Sequence, residues 1–110
     1  MATTSKQLGQ LRPADTNAAS IYSPAASTDA AGLSLKVCNV TATDATCQVF
    51  HDDDGSTFAE GSALYFNVNV PAKSTLTLGV GSMDDDAGSI GVQTGTANSL
   101  NFTLYGTEIT

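Results

Sequence analysis

From Gly32 to the C-terminus apolar and polar residues alternate, and a period of two is the signature of a β-strand with one face in a core. Leu33, Leu35 and Val37 alternate with Ser34, Lys36 and Cys38, and a second strand follows at Thr46 to His51. The clearest run sets Leu64, Phe66, Val68 and Val70 against Tyr65, Asn67 and Asn69, and Pro71 ends it by offering no amide hydrogen to a ladder. Leu76, Leu78 and Val80 repeat the pattern, and Ile90 with Val92 gives a shorter copy. In the last strand, Leu100 to Ile109, Leu100, Phe102 and Leu104 face one way and Asn101, Thr103 and Tyr105 the other. The expected core is therefore Leu64, Phe66, Val68, Leu76, Leu78, Phe102 and Leu104.

No window combines apolar residues at helical spacing with a capping box and a glycine stop, and β-branched Thr and Val abound where a helix would favour Ala, Leu or Lys. A parallel sheet would need crossover helices, which have no counterpart here. The pattern predicts an all-β chain, an antiparallel β-sandwich or jelly roll of about six to eight strands. Residues 1–31 differ in composition, being rich in Ala, Ser, Thr, Asp and Asn, and they read as an extended N-terminal arm and linker ahead of a sandwich domain at 32–110. Ala18 to Tyr22 can form a short strand ended by Ser23-Pro24. Residues 1–16 hold only two large apolar side chains, Leu8 and Leu11, so that stretch is expected to order only against a partner.

Charge narrows the partners. Eleven acidic residues against four basic ones give a net charge of −7, and Lys6, Arg12, Lys36 and Lys73 are too scattered to neutralise a row of phosphates, so nucleic acid is not an expected partner. No segment approaches the roughly twenty apolar residues of a membrane span, and Met1 to Gln10 carry no signal-peptide core, so the chain is expected to be made in the cytoplasm and to stay off membranes. The sequons at Asn39 and Asn101 are accordingly not expected to carry glycans.

Candidate chemistry is sparse. Asp52-Asp53-Asp54-Gly55 and Met83-Asp84-Asp85-Asp86-Ala87-Gly88 resemble calcium loops in composition, but the spacing is wrong for an EF-hand and Asp/Gly clusters also make plain turns. His51 is the only histidine, with no G-x-S-x-G elbow and no Cys-His pair to serve it, and the Gly-rich stretches at 79–81 and 91–98 lack the Lys-Ser/Thr of a phosphate loop. No catalytic residue, metal or cofactor is expected. Cys38 and Cys47 flank a hairpin tip at Thr41 to Asp44. One register sets them opposite each other at disulfide range, a one-residue shift separates them, and reduced thiols are the default inside a cell.

Several segments together resemble small proteins encoded in tailed-bacteriophage genomes: Gln7-Leu8-Gly9-Gln10-Leu11-Arg12-Pro13, Ser20-Ile21-Tyr22-Ser23-Pro24-Ala25, Asp52 to Phe58 leading to Ala63-Leu64-Tyr65-Phe66, Val92 to Ala97, and Leu104 to Ile109. The resemblance spans most of the chain and implies a non-enzymatic virion structural protein, a capsid decoration protein or else a tail, neck or collar component, with the major capsid protein or other virion proteins as partners. It also fits a homo-oligomer, a trimer being one form. Leu8, Leu11, Arg12, Pro13, Ile21 and Tyr22 are the expected partner-binding residues of the arm, which can add main-chain hydrogen bonds to a neighbour's sheet edge. A receptor- or carbohydrate-binding sandwich is the alternative from another class, against which stands the absence of Trp.

Overall fold

The computed structural model describes residues 2–83 and 88–110; the second acidic cluster, Asp84 to Asp86, lies outside the described residues. Eight strands are present: β1 (Thr3–Leu11), β2 (Ala19–Tyr22), β3 (Asp29–Asn39), β4 (Ala45–Asp52), β5 (Ala63–Val70), β6 (Thr75–Met83), β7 (Ser89–Thr94) and β8 (Leu100–Ile109), with one 3-10 turn at Glu60–Ser62. They form two four-stranded sheets, ordered β1-β8-β3-β6 and β2-β7-β4-β5. Every pairing is antiparallel. Apart from β4 to β5, each successive strand passes to the opposite sheet. The all-β antiparallel expectation is met.

The inner faces meet in one apolar layer. Leu35, Val37, Leu100, Phe102 and Leu104 of the first sheet pack with Cys47, Val49, Val70, Ile90 and Val92 of the second, all at 1% exposure or less. β3 and β8, the two inner strands of their sheet, supply the alternation read from the sequence: Leu33, Leu35 and Val37 point inward, as do Leu100, Phe102 and Leu104.

β5 departs from expectation. Leu64 and Phe66 are 43% and 48% exposed, while Tyr65, Val68 and Val70 turn to the core. The alternation is real but changes phase partway. Cys47 faces Val68 whereas Val49 faces Tyr65, so β5 spends one residue more than β4 over this interval, and Asn67 takes up the bulge with a φ of 54°. A second slip lies between Val49 and Phe50. A one-residue slip sends every side chain before it to the other face. Leu76 and Leu78 do point at the core but are only half-buried, because β6 is a sheet edge.

Residues 1–31 do not stand apart as an arm. β1 pairs with β8 from Thr3 opposite Ile109 to Leu11 opposite Phe102, β2 pairs with β7, and Leu8, Leu11, Ile21 and Tyr22 pack against the core. Main-chain hydrogen bonds drive this. β8 would otherwise have an open edge, and the N-terminal segment closes it within its own chain. The two edge strands approach closely: Gly9 lies against the Ile21 carbonyl, where a Cβ would collide with it. Gly106 likewise leaves room for Leu33 and Leu8, whose side chains a Cβ there would meet at 2.6 and 3.0 Å.

The hairpin expected around residues 41–44 is a crossing between sheets. Asn39, 1% exposed, organises it: Nδ2 donates to the carbonyls of Thr43 (2.9 Å) and Val70 (3.0 Å), and Oδ1 accepts from the Thr41 amide (2.9 Å) and hydroxyl (2.7 Å). The sequon asparagine is thus consumed inside the fold. Cys38 and Cys47 consequently belong to different sheets, one pointing outward and one into the core, and both are free thiols.

Phe102→Ala is expected to cost about 3–5 kcal/mol and Phe66→Ala under about 1 kcal/mol, read from urea midpoints; comparable losses would put Phe66 in the core. Asn39→Ala, which strands several buried polar groups at once, should cost about 2–3 kcal/mol by the same measurement, and a near-neutral result would mean that the crossing does not depend on this side chain.

Candidate interaction surface

The inner layer is closed on its two sides by different chemistry, and this determines what surface remains. On the β1/β2 side the Tyr22 hydroxyl of β2 donates to Glu108 Oε2 of β8 at 2.7 Å, and Lys6 Nζ of β1 stands 2.8 Å from Glu108 Oε1. One carboxylate thus joins three strands and both sheets. Lys6 first and Tyr22 second hold the Glu108 carboxyl below the usual glutamate range. Burial, reinforced by Glu108, holds the Tyr22 phenol well above the usual tyrosine value. On the β5/β6 side the Tyr65 hydroxyl spans the gap, donating to the Gly79 carbonyl at 2.8 Å.

The six residues expected to bind a partner are mostly engaged within the chain. Leu8, Leu11, Ile21 and Tyr22 pack on the core, and Pro13 is buried with its carbonyl accepting the Asn98 amide at 2.9 Å. Only Arg12 of that set is exposed. What the N-terminal segment offers outward is the free edge of β1, whose residues Thr3 to Gln7 are all exposed.

The other outward apolar surface lies on the second sheet. Phe50 falls on the outer face of β4 by the strand's ordinary alternation, with Ala45, Cys47 and Val49 facing inward, and is buried from the outside by Phe58, whose ring stacks on it with centroids 5.8 Å apart. Phe58 fits only because position 91 is glycine: a Cβ there would lie 2.7 Å from the ring. Beside this pair, on the edge strand β5, stand the exposed Leu64 and Phe66. Reading the sequence at a strict period of two hides this patch. The available signal was Asn67, a residue that tolerates positive φ, in the middle of the run.

The remaining candidates resolve into structure. Asp52 Oδ2 accepts the Thr57 amide at 2.6 Å and Oδ1 the Asp54 amide at 3.4 Å, so its carboxylate, held below the usual range chiefly by the Thr57 bond, organises the loop that delivers Phe58. The hydrogen bond and charge of Asp52 push Asp54 the other way. The carboxylates of Asp52, Asp53 and Asp54 lie within 4.8 Å of one another, the one such acidic group among the described residues. His51 and Asp53 line an open cleft of about 590 Å³ with Asp29, Ser82 and Met83, and among the described residues no hydrogen bond joins His51 to a hydroxyl nucleophile. Burial pushes the Cys47 thiol up to about 11, which leaves it protonated and unreactive near neutrality.

The Lys6–Glu108–Tyr22 cluster should be visible at both ends of the pH scale. A depressed folded-state Glu108 contributes stability above the usual glutamate value of 4.5 that is lost as pH falls through its lowered value. A raised Tyr22 contributes stability below the usual tyrosine value of 10.0 that is lost as pH rises beyond it. Melting curves of Glu108→Gln should show a shallower acid decline than the parent, and those of Tyr22→Phe a shallower alkaline decline, with Tyr22→Phe costing about 1–2 kcal/mol near neutrality. Parallel profiles for parent and variants would remove the cluster from the stability of the fold.

No protein-family model matches the chain, and no curated protein matches it either.

Proposed function

We propose that this protein is a non-enzymatic structural component of a bacteriophage particle, a capsid decoration protein built on a jelly roll and fixed to the major capsid lattice through its N-terminal strand and sandwich surface. The observation that carries the proposal is the strand order. Two antiparallel four-stranded sheets ordered β1-β8-β3-β6 and β2-β7-β4-β5, with the chain passing from sheet to sheet at nearly every step, support the jelly-roll reading, an eight-stranded double-sheet architecture that viral capsid and lectin domains use. The phage-like sequence segments favour the capsid side of that pair.

The chemistry of the surface supports the same reading. Among the described residues the exposed large apolar side chains are Leu64, Phe66, Tyr105 and Val40, groups suited to packing on protein, and the sequence has no Trp to stack on a sugar. The free edge of β1 offers unpaired main-chain groups on a strand already held by its own sheet, a geometry fitted to β-addition by a capsid loop. A tail or collar component would use the same surfaces and differ in copy number.

The test is quantitative mass spectrometry of gradient-purified particles from the phage that encodes the chain. A decoration protein should co-purify in a simple fixed ratio to the major shell protein. A handful of copies per particle would transfer the assignment to the tail or collar, and loss of the chain on purification would refute a virion role. Truncating residues 1–24 is no clean probe of attachment, since it removes β1 and β2 and opens the core.

A further inference from the structure

We infer that residues 2–23 form an exchangeable clip, which leaves its seat on β7 and β8 and takes the identical seat on a second copy of this chain, giving a two-fold dimer. The inference concerns copies of this chain alone and does not depend on the virion reading.

The clip is one unit with one seat. Among the described residues, every hydrogen bond and ion pair that leaves residues 2–23 ends within residues 88–110. β1 lies on β8 and β2 on β7, and the main chains of Ala2 and Thr110 bond to each other at 2.9 Å. The Pro13 carbonyl accepts the Asn98 amide, the Thr16 carbonyl accepts Gln93 Nε2 at 2.8 Å, and Ser23 Oγ donates to the Gly88 carbonyl at 2.6 Å. Lys6 and Tyr22 share Glu108. The occupant of the seat is therefore given by the structure, because this segment already fills it.

Lifting the clip leaves the rest of the fold standing. β1 and β2 are edge strands of different sheets, so their departure leaves two three-stranded sheets, β8-β3-β6 and β7-β4-β5. The buried apolar side chains of the inner layer begin at Ala30, and the clip adds only the half-buried Leu8, Leu11, Ile21 and Tyr22. A unit with no deeply buried apolar anchor opens at less cost than the strands beneath it.

The connection to β3 favours transfer. Residues 25–27 form an exposed turn that the Thr28 amide closes on the Ala25 carbonyl at 3.1 Å. Ser27 in that turn has a φ of 62°, a left-handed conformation that costs a serine steric strain. Opening the turn lets Ser27 return to extended geometry, while every contact of the clip is remade in identical form between copies. Because closed and exchanged forms share those contacts, local concentration decides between them, and the exchanged dimer is the form of crowded copies.

Mixing chains that carry different substitutions tests this, in a Cys38→Ser background that leaves only the buried Cys47 as native thiol. Ser5 and Thr107 stand directly opposite each other with their hydroxyls 2.9 Å apart, so Ser5→Cys and Thr107→Cys placed in one chain should form an internal disulfide. Chains bearing one substitution each, mixed at high concentration and oxidised with glutathione disulfide, should give a covalent dimer at least about tenfold more abundant than either gives alone. Peptide mapping should place the link between the two new thiols. In sedimentation velocity, Lys6→Glu mixed with Glu108→Lys should form a mixed dimer, because only exchange sets opposite charges together at both clasps, whereas each variant alone meets like charge. A mixture of either kind that stays monomeric would overturn the inference. So would a double cysteine variant that forms no internal bond, since that contradicts the seat itself.

Discussion

Burial of one shared apolar layer between two sheets is the constraint from which the rest of this structure follows. A sheet of four strands cannot keep an apolar face in water, and the face of each is covered only by the other. The layer is thin and has four open margins. At the β1/β2 margin, glycine at positions 9 and 106 lets backbone and the leucines close in, and Tyr22, Glu108 and Lys6 add a polar clasp. At the β5/β6 margin Tyr65 reaches across to Gly79. Where the chain crosses between β3 and β4, the side chain of Asn39 supplies hydrogen bonds that no ladder can provide there. No buried side-chain polar atom among the described residues is left without a partner, as a layer this thin requires.

The same constraint shapes the outside. Phe50 faces outward on β4 yet is too apolar for solvent, so the loop organised by Asp52 folds Phe58 over it and Gly91 makes room for the ring. The acidic loop therefore has a structural task, holding an aromatic cover in place. The two ends of the sheets meet solvent differently. β1 presents a polar free edge with its lysine paired, whereas β5 presents neutral, apolar side chains between charges of opposite sign. The two surfaces are therefore chemically distinct.

The all-β class, the antiparallel pairing and the inward faces of β3 and β8 were all legible in the chain, because period-two alternation on a strand flanked on both sides leaves little freedom about which face is buried. Three features were not. The phase change in β5 depends on which residues oppose one another, and Asn67 reveals it only once β4 is in place. The separation of Cys38 from Cys47 depends on the chain changing sheets after Asn39, a step whose short connection looks locally like a hairpin. The N-terminal strands appeared to be an arm because their composition is poor in bulky residues, yet a strand can be held largely by main-chain hydrogen bonds to β8 and β7, which composition does not register.

What the sequence by itself determined is the local alphabet: where strands start and stop, which side of most of them is apolar, and that the surface carries little charge beyond its acidic turns. What only the tertiary structure decided is which strands are neighbours, and through that the fate of Phe66, of the two cysteines and of the first thirty-one residues. The physical reason is that apolar periodicity is a property of one strand, whereas register, bulges and edge position are properties of pairs. The pairs that matter here join residues far apart in the chain, such as Thr3 with Ile109.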